Sequence, residues 1–401
     1  MAAHLIYLAN ARLPTEKAHG HAIVKMCEAY AREGARVELW HPRRQQGDAR
    51  LSAMSVFEFY DVPRTFRVRT LKNLDVIPAE RWLPKPFHRA LVGVHDFAWA
   101  RYAAHLVKRD RPTLCHTRDA GIAFWTARAN TPTILEVHDP PAGPRRGLVR
   151  RTAERTSLRG VVALTEGSRA SLEALGVPRS KIIVLGSAVD TEPYERLPSR
   201  AECRREHGLP LDRPIIGYIG RFRTMGLEKG LTTLVKAAAM LEAARTEEAL
   251  LLCVGGPMDE VSGYLRIAHE YGGRVDDFRF VDRVPSSEIP SWIRACDIGV
   301  VPSPGTRRFA QFASPMKLFE FMAGGVPMVV TDLPALSDTL THGRNSWLVP
   351  PDDPKALADG LAHLLSDPEL RNRLADQAKQ DVGRHTWRAR AATLLANYAG
   401  A

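Results

Sequence analysis

The 401 residues exceed one typical hydrophobic core, and 45% hydrophobic with 25% charged residues indicates a globular protein of two or three domains. The sequence has no run of about 18 apolar residues and no basic segment before its first apolar run, which argues against a membrane-spanning helix and a signal peptide. The five cysteines lie far apart, without the spacing of a disulfide framework or a metal site. We therefore expect a reduced, cytoplasmic protein.

Positive charge is concentrated in the first half of the chain. Residues 1–190 hold 30 lysines and arginines against 18 acidic residues, a net charge of +12, whereas residues 191–401 carry −1. The densest cluster contains Arg145, Arg146, Arg150, Arg151, Arg155 and Arg159. This cluster is either a solvated helix face or part of a surface for an anionic acceptor, an anionic membrane or nucleic acid.

Short apolar runs alternate with amphipathic segments along the first half. A strand at 4–9, a polar loop over Asn10–Gly20, a helix at 23–32 and a strand at 37–41 form a βαβ pattern. Residues 43–90 show no clear hydrophobic periodicity of a helix or a strand. Helices at 96–109, 121–129 and 168–175 then alternate with strands at 114–117, 133–138, 160–165 and 181–185.

The composition of residues 189–199 is typical of a linker, and a second alternation of strands and helices follows it. Its predicted strands are 214–220, 249–255, 279–281, 298–301 and 326–330, and its helices are 231–243, 261–271, 286–295 and 316–323. Helical segments near 333–341, 354–365 and 368–399 end the chain. The pattern predicts two doubly wound α/β domains, 1–188 and 189–383, with ligands at the carboxyl ends of the strands and in the cleft between the domains.

The segment at 311–332, QFASPMKLFEFMAGGVPMVVTD, carries the most informative spacing. Ser314 and Pro315 are typical of an N-cap and first helical position. Lys317 and Glu320 then share one face. A helix N-terminus beside a lysine suits a phosphate, and a glutamate one turn deeper can accept hydrogen bonds from sugar hydroxyls. The alternative is a surface helix with an ordinary ion pair.

In three other segments, residues that can bind a ligand follow the end of a predicted strand. In GYIGRFRTMGLEKG (217–230), Arg221 and Lys229 lie on one loop, and two cations there can converge on a diphosphate. In LCVGGPM (252–258), Gly256 belongs to a tight turn. The loop at 279–285 follows a further strand and can offer backbone groups to a base.

In this order the four segments resemble the donor-binding half of retaining glycosyltransferases of family 4, the group 1 enzymes with the GT-B fold. The similarity covers roughly residues 214–365, through GRF…EKG, VGG, FVDRVP, IPSWIRACDIGVVPS, SPMKLFEFMAGGVPMVVTDLP and GRNSWLVPPDDP. The resemblance implies that Arg221 and Lys229 hold the donor diphosphate and act in catalysis. It further implies that Glu320 holds the ribose and that the main chain of Arg283 and Val284 reads the base. The remaining donor contacts implied are Lys317, Met316, Ser314, Gly256 and Gly20.

The chain departs from the family pattern at its first motif glutamate, where it has Phe312. The Gly-x-Gly that follows that glutamate in the family is Ala313-Ser314-Pro315 here, and Pro315 has no N–H to donate. We expect the donor sugar to be held differently, with Lys317 and Gln311 as substitutes, or to be a deoxy or otherwise modified sugar.

The first half resembles the same family less closely. Asn10–Gly20 takes the place of the family's glycine-rich loop, with His19 where a glycine is usual. The resemblance assigns His138 a catalytic contact to the donor sugar, although a histidine ending a buried strand is often structural. Glu136 faces either the core or the acceptor. Acceptor contacts are expected from Glu16, Lys17, His19 and Arg118, and the last helix, 384–401, should cross back to the first domain.

No HxH, HExxH, DxD-type pair or cysteine cluster suggests a metal site, and we expect no cofactor. The resemblance implies that arginine, lysine and a helix dipole neutralise the leaving diphosphate. We expect a nucleotide-diphosphate sugar donor, UDP-sugar favoured and GDP-sugar possible. The acceptor would be sugar-containing and either anionic or lipid-linked, with peripheral membrane contact through the basic half.

Other functions fit the same fold. A hydrolysing nucleotide-sugar epimerase would act without an acceptor, and a phosphorylase would carry a lysine-bound pyridoxal cofactor. Phe312 also fits a catalytically impaired glycosyltransferase. Nucleic-acid binding is disfavoured, because the basic residues form no recognisable motif and few aromatic residues lie between them.

Overall fold

A computed structural model describes residues 2–46, 49–224, 226–243 and 248–400. The chain forms two compact units, one of Met1–Gly186 with Trp387–Ala401 and one of Ser187–Thr386. No helix in these described ranges combines the length and the apolar character needed to cross a membrane.

The first unit is built on a parallel seven-stranded sheet with the order β3-β2-β1-β4-β5-β6-β7. Its strands are β1 His4–Leu8, β2 Arg36–Pro42, β3 Arg67–Leu71, β4 Leu114–Thr117, β5 Thr133–Val137, β6 Leu158–Ala163 and β7 Ile182–Val184. Its helices are α1 Ala18–Arg32, α2 Ala49–Ala53, α3 Val56–Tyr60, α4 Lys85–Asp110, α5 Ala120–Arg128, α6 Pro144–Ala153 and α7 Glu166–Glu173. Short 3-10 turns lie at Ile77–Arg81 and Arg179–Lys181.

The second unit is built on a parallel six-stranded sheet with the order β12-β11-β8-β13-β14-β15, and a small antiparallel pair, β9 and β10, lies outside it. The strands are β8 Ile215–Ile219, β9 Arg223–Thr224, β10 Leu227–Glu228, β11 Leu250–Val254, β12 Phe278–Val281, β13 Ile298–Val301, β14 Met328–Thr331 and β15 Trp347–Val349. The helices are α8 Glu192–Glu195, α9 Arg200–Glu206, α10 Leu231–Ala243, α11 Val261–Glu270, α12 Ile289–Arg294, α13 Arg307–Phe312, α14 Met316–Gly324, α15 Pro354–Ser366 and α16 Pro368–Asp381.

Both faces of the second sheet are covered by helices. Along β8, Ile215 and Ile219 enter one hydrophobic cluster, whereas Ile216 and Tyr218 enter another on the opposite face. Successive side chains of a strand point to opposite faces, so a strand buried on both sides reads as a continuous apolar run. This is why the predicted strands were visible as unbroken apolar segments.

The last helix, α17 Trp387–Tyr398, packs back on the first unit against α1. Arg388 pairs with Glu33 of α1 at 2.5 Å. The Tyr398 ring occupies the space beside Gly160, where an added Cβ would lie 2.3 Å from the ring. The predicted doubly wound fold and returning final helix are confirmed.

Several predicted element bounds are wrong. The segment 333–341 forms only the 3-10 turn Pro334–Leu336, because Asn345 accepts the Thr341 N–H at 2.9 Å and donates to the Thr339 carbonyl at 3.0 Å, which replaces helical bonds. The segment 368–399 is two helices, α16 and α17, separated by a 3-10 turn at Val382–His385.

Two further bounds differ at the predicted ligand sites. Ser314 does not cap α14: its side chain accepts the Ser187 N–H at 2.8 Å, and the cap position is Pro315. The loop predicted to extend to Gly20 ends earlier, because α1 begins at Ala18 and includes both His19 and Gly20. A Cβ at Gly20 would lie 2.1 Å from the Tyr60 hydroxyl, so this glycine is required for packing against α3.

Candidate functional site

The carboxyl end of β8 is the topological switch point of the second sheet. The chain leaves β8 toward β11 and β12 on one side, and β13, β14 and β15 lie on the other side. In open parallel sheets the loops that follow such strands form the ligand-binding edge.

Glycines let these loops approach one another through their backbones. A Cβ at Gly255, after β11, would lie 2.6 Å from the Gly220 carbonyl, after β8. A Cβ at Gly230 would lie 1.6 Å from the carbonyl oxygen of Pro302, after β13. Both glycines have positive φ, 134° and 86°, a region that other residues rarely adopt. The three loops therefore form one compact rim.

Three cations lie at this rim. Lys317 is buried, with its Nζ 3.6 Å from the centre of the Tyr218 ring and 3.5 Å from the Cβ position of Gly220. Burial, and then the charge of Lys229, hold the pKa of Lys317 well below its usual range. Burial, and then Arg221, lower the pKa of Lys229 to about 8. Arg221 itself is exposed. Each of these positive charges disfavours the charged form of its neighbours. An anion placed among them would therefore stabilise the charged form of all three side chains.

Glu320 lies one turn beyond Lys317 on α14. Burial raises its pKa to about 7, against the opposing effect of Lys317. The carboxyl group is therefore close to half-protonated at neutral pH and can both donate and accept hydrogen bonds. Together with the N-terminus of α14 at Met316, this arrangement offers cations and helix N–H groups to phosphates and a carboxyl group to hydroxyls.

The predicted base-reading loop follows β12. Its Arg283 N–H already donates to the Asp282 carboxylate at 2.7 Å. A Cβ at Gly256 would lie 2.5 Å from the same carboxylate, so Gly256 makes room for Asp282. Val284 packs against the hydrophobic core. The sequence prediction did not include Asp282, although FVDRVP contains it beside Arg283.

Phe312 ends α13 and lies in the core of the second unit, 6% exposed. The side chain at this motif position therefore packs and does not present a polar group. Gln311, its neighbour, is exposed, and Lys317 points to the rim over Tyr218.

In the first unit, a buried carboxylate collects charges at the carboxyl ends of β4 and β5. Glu136 lies 2.9 Å from Arg390 of α17, 3.4 Å from Arg118 and 3.4 Å from His116, and it also contacts His138. Burial alone would raise the pKa of Glu136, but Arg390 and Arg118 hold it well below its usual range. Glu136 thus faces the core, and it orients the residues around it.

His138 lies against both Arg118 and Glu136, with a third of its side chain exposed. Burial, and then Arg118, lower the pKa of His138 to about 4. The imidazole is therefore neutral at pH 7 and can accept or donate one hydrogen bond.

The predicted acceptor residues occupy the same edge. Arg118 donates to the His19 carbonyl at 3.4 Å, so it links the end of β4 to the start of α1. Glu16 pairs with Arg12 at 2.7 Å, and Lys17 is the exposed N-cap residue of α1. Partial burial, and then Arg118, lower the pKa of His19 to about 4.

Within the described ranges, no group of three or more histidine, cysteine, aspartate or glutamate side chains is arranged to hold a metal ion. The five cysteines are buried and unpaired. The arginines of α6, Arg145, Arg146, Arg150 and Arg151, are exposed.

Two family profiles match most of the chain. "Glycosyltransferase Family 4" matches residues 20–193, and "Glycosyl transferases group 1" matches residues 213–367. The chain belongs to glycosyltransferase family 4. The segments that carried the resemblance, 214–365, lie entirely within the second match.

Among curated relatives, the D-inositol 3-phosphate glycosyltransferase of Corynebacterium glutamicum is 33% identical over 54% of this chain and 51% of its own length. That of Thermobispora bispora is 30% identical over 58% and 53%, so the matches span about half of these relatives. The phosphatidyl-myo-inositol mannosyltransferase of Mycobacterium leprae is 26% identical over 80% of this chain and 83% of its own.

Solved structures confirm the GT-B fold that family 4 implies. A glycosyltransferase from Rickettsia africae aligns with a TM-score of 0.72 at 14% identity, covering 99% of this chain and 98% of its own. Anabaena Alr3699/HepE, solved in complex with UDP and glucose, aligns with a TM-score of 0.69 at 16% identity, covering 98% and 99%.

For some residues of this family 4 chain, no sequence pattern predicted that they belong to a site. Arg390 and His116 reach Glu136 only through the fold, since 254 residues separate Glu136 from Arg390 in the chain. Tyr218 appeared only as one apolar residue of a strand, and its ring lies beneath Lys317.

Proposed function

We propose that this chain is a retaining, metal-independent glycosyltransferase that transfers a sugar from a nucleotide-diphosphate donor to an acceptor hydroxyl. The observation that carries this proposal is the rim at the end of β8, where Arg221, Lys229 and Lys317 lie within electrostatic reach of one another and Glu320 lies beside them. The second unit would bind the donor and the first unit the acceptor.

Each rim group has a chemical role in this proposal. As the glycosidic bond breaks, negative charge grows on the leaving diphosphate, and fixed cations with the N-terminus of α14 stabilise that charge. Glu320 would accept hydrogen bonds from the ribose hydroxyls. The donor phosphate would take the acceptor proton, so the reaction needs no dedicated protein base.

His138 supports the proposal through its protonation state. Its pKa of about 4 leaves a neutral ring at pH 7, and a sugar hydroxyl would hydrogen-bond to the ring by displacing the Arg118 contact to Nδ1. Glu136 and Arg118 hold the ring in place. A catalytic role of His138 toward the donor sugar stays a prediction.

The acceptor we propose is a polyhydroxylated ring that carries a phosphate, free or as part of a lipid headgroup. The named activities of the relatives, on inositol 3-phosphate and on phosphatidylinositol, support this class. Arg118, Lys17 and His19 lie at one edge of the first sheet, where cationic and donor groups suit a phosphate.

The donor site is tested by thermal shift with UDP, GDP, ADP, TDP and CDP, each with and without Mg²⁺. A nucleotide present at about 100 times its Kd adds roughly 2.7 kcal/mol to the free energy of unfolding. One nucleotide that shifts Tm equally with and without Mg²⁺ supports the proposal and identifies the base. No shift with any nucleotide would favour the impaired enzyme that Phe312 makes possible.

Variants of the loop after β8 separate binding from folding. Arg221→Ala and Lys229→Ala should abolish most of the shift and of the sugar transfer. Arg223→Ala is the matched control, because Arg223 lies on the same loop but pairs with Glu260 at 3.4 Å. Normal turnover in Arg221→Ala or Lys229→Ala would overturn the diphosphate assignment. Sugar release without an acceptor would identify the epimerase instead.

A further inference from the structure

Exposed apolar side chains are concentrated in one part of the first unit. Nine of the 14 large hydrophobic side chains that are exposed among the described residues lie between positions 74 and 102. They are Leu74, Ile77, Trp82, Leu83, Phe87, Leu91, Val94, Phe97 and Tyr102. Trp82 is 85% exposed and Leu74 is 77% exposed. Single exposed apolar residues are ordinary, but a cluster of this size marks an interaction surface.

The helix geometry places several of these side chains on one face. Phe87, Leu91, Val94 and Ala98 are spaced by four, three and four residues along α4, and all four are exposed. The opposite face turns inward through five later residues of α4, namely Trp99, Ala100, Ala103, Ala104 and Val107. The first turns of α4 therefore carry an apolar stripe toward solvent, continuous in sequence with the turn Ile77–Arg81 and with Trp82.

Positive charge lies along the same segment, and Lys85 and Arg89, each two residues from Phe87, are on the face of α4 opposite the stripe. Between residues 72 and 109, seven lysines and arginines face three aspartates and glutamates, a net charge of +4. Arg81, Lys85 and Arg89 are all exposed. Two of the three acids are engaged: Asp96 pairs with Arg44 at 3.0 Å, and Asp75 accepts the Gln45 N–H at 2.7 Å.

We propose that residues 72–98 dock this protein on the surface of an anionic lipid bilayer. Aromatic and aliphatic side chains enter the headgroup region while lysine and arginine bind lipid phosphates. The first turns of α4 carry the apolar side chains on one face and Lys85 and Arg89 on the other, as helices that lie in the headgroup plane do. A second copy of the chain fits less well, because an interface through the apolar stripe would leave the basic residues of the segment without an anionic partner. The docking does not depend on the proposed sugar transfer.

Sedimentation with sucrose-loaded vesicles tests the proposal without any donor or acceptor sugar. The intact protein should bind vesicles made of a one-to-one mixture of phosphatidylglycerol and phosphatidylcholine. It should bind vesicles of pure phosphatidylcholine far less. Each basic residue near an anionic surface strengthens binding about fivefold, so Arg81→Gln/Lys85→Gln/Arg89→Gln should weaken it on the order of 100-fold. Trp82→Ser/Phe87→Ser should also lose at least about tenfold.

Matched controls test the location. Arg145→Gln/Arg146→Gln/Arg150→Gln removes the same charge from exposed positions of α6, and Leu211→Ser/Val275→Ser removes two exposed apolar side chains from the second unit. Both should bind vesicles like the unchanged protein. An equal loss in the α6 variant would overturn the proposal, because binding would then follow overall charge. Unchanged Tm in all four variants shows that each is folded.

Two further measurements distinguish a membrane from a second copy of the chain, and vesicle docking from nucleotide binding. On vesicle binding, tryptophan emission should shift to the blue, and Trp82→Phe should lose most of that shift while still sedimenting. Arg221→Ala should bind vesicles normally even if it loses the nucleotide, so failure of the docking and failure of the donor site are distinguishable. Vesicle binding by Trp82→Ser/Phe87→Ser at the unchanged level would overturn the proposal, as would a dimer that this variant makes monomeric.

Discussion

Lys317 is a cation placed where its charge is unfavourable in the absence of a ligand. Burial and Lys229 lower its pKa, and Glu320 opposes that effect only in part. A buried charge costs free energy unless it is paired. A residue kept under these conditions is therefore better explained by a bound anion than by stability.

Lys317→Met tests this explanation, since methionine fills similar space without a charge. A charged hydrogen bond contributes about 1.5–3 kcal/mol, so nucleotide binding measured by calorimetric titration should weaken about 10- to 150-fold. Tm without nucleotide should stay unchanged or rise. Lys236→Met is the matched control. The Nζ of Lys236 also lies over an aromatic ring, 5.0 Å from the centre of Tyr271, but Lys236 belongs to α10 and not to the rim. A lower Tm with unchanged nucleotide binding would make Lys317 a structural residue.

Glu320 gives the site a pH dependence with a definite sign. Its pKa is about 7 in the folded chain and 4.5 as an ordinary carboxyl group, so the folded state holds the extra proton between these values. Stability from this group is therefore full below about pH 4.5 and is lost as pH rises toward 7. Glu320→Gln removes the titration, so its Tm relative to the unchanged protein should increase from pH 5 to about pH 7 and level off at higher pH. A difference that stays constant over this range would show that Glu320 does not titrate there.

The order of motifs let the sequence predict which side chains gather at the end of β8. Arg221 and Lys229 follow strands, Lys317 begins α14 and Glu320 lies one turn further along it, so the parallel sheet brings them to one edge. Asp282 was not predicted, because its side chain accepts a hydrogen bond from the backbone N–H of Arg283. Side-chain roles that arise from local hydrogen bonding leave no period or spacing to detect.

At the scale of elements, α17 is held to the first unit by two arginines of different kinds. Arg390 is 4% exposed and lies 2.9 Å from Glu136, whereas Arg388 is 72% exposed and pairs with Glu33. Arg390 also donates to the carbonyls of Leu185 and Gly186, at the end of the first unit. The buried pair therefore joins the last helix to the strand that ends beside His138.

Arg390→Met should loosen α17 far more than Arg388→Met. Removing one partner of a buried pair costs about 3–5 kcal/mol, whereas an exposed pair contributes at most about 1 kcal/mol. Hydrogen exchange of peptides from residues 387–398 measures both changes on the same helix. Adding Glu136→Gln to Arg390→Met should restore part of the protection, since it removes a buried carboxylate that Arg118 alone compensates only in part. Equal exchange in the two single variants would contradict this account of Glu136.

The two strands of the main sheets that the sequence did not predict lie at sheet edges. β3 and β15 are the outermost strands of their sheets, and β3 carries mostly exposed side chains. They are held by backbone pairing with β2 and β14, not by an apolar run. The central strands are buried on both faces and were predicted to within about two residues at each end, since burial requires the apolar pattern.

At the scale of the whole molecule, each unit has hydrophobic clusters of its own. Ile6, Trp40 and Ile122 belong to one in the first unit, and Ile215, Phe319 and Met328 belong to one in the second. The second unit is continuous in sequence, whereas the first needs the last helix to complete it. Domains with separate cores can unfold as separate cooperative units.

Scanning calorimetry of the intact chain should therefore show unfolding that is not two-state, with a van't Hoff enthalpy below the calorimetric one. The nucleotide that binds best should raise one transition, and Lys317→Met should abolish that rise, because the rim lies wholly in the second unit. Arg390→Met should lower the other transition, because Arg390 and Glu136 belong to the first unit. If one variant moved both transitions by the same amount, the two units would unfold together, and stability would belong to the molecule as a whole.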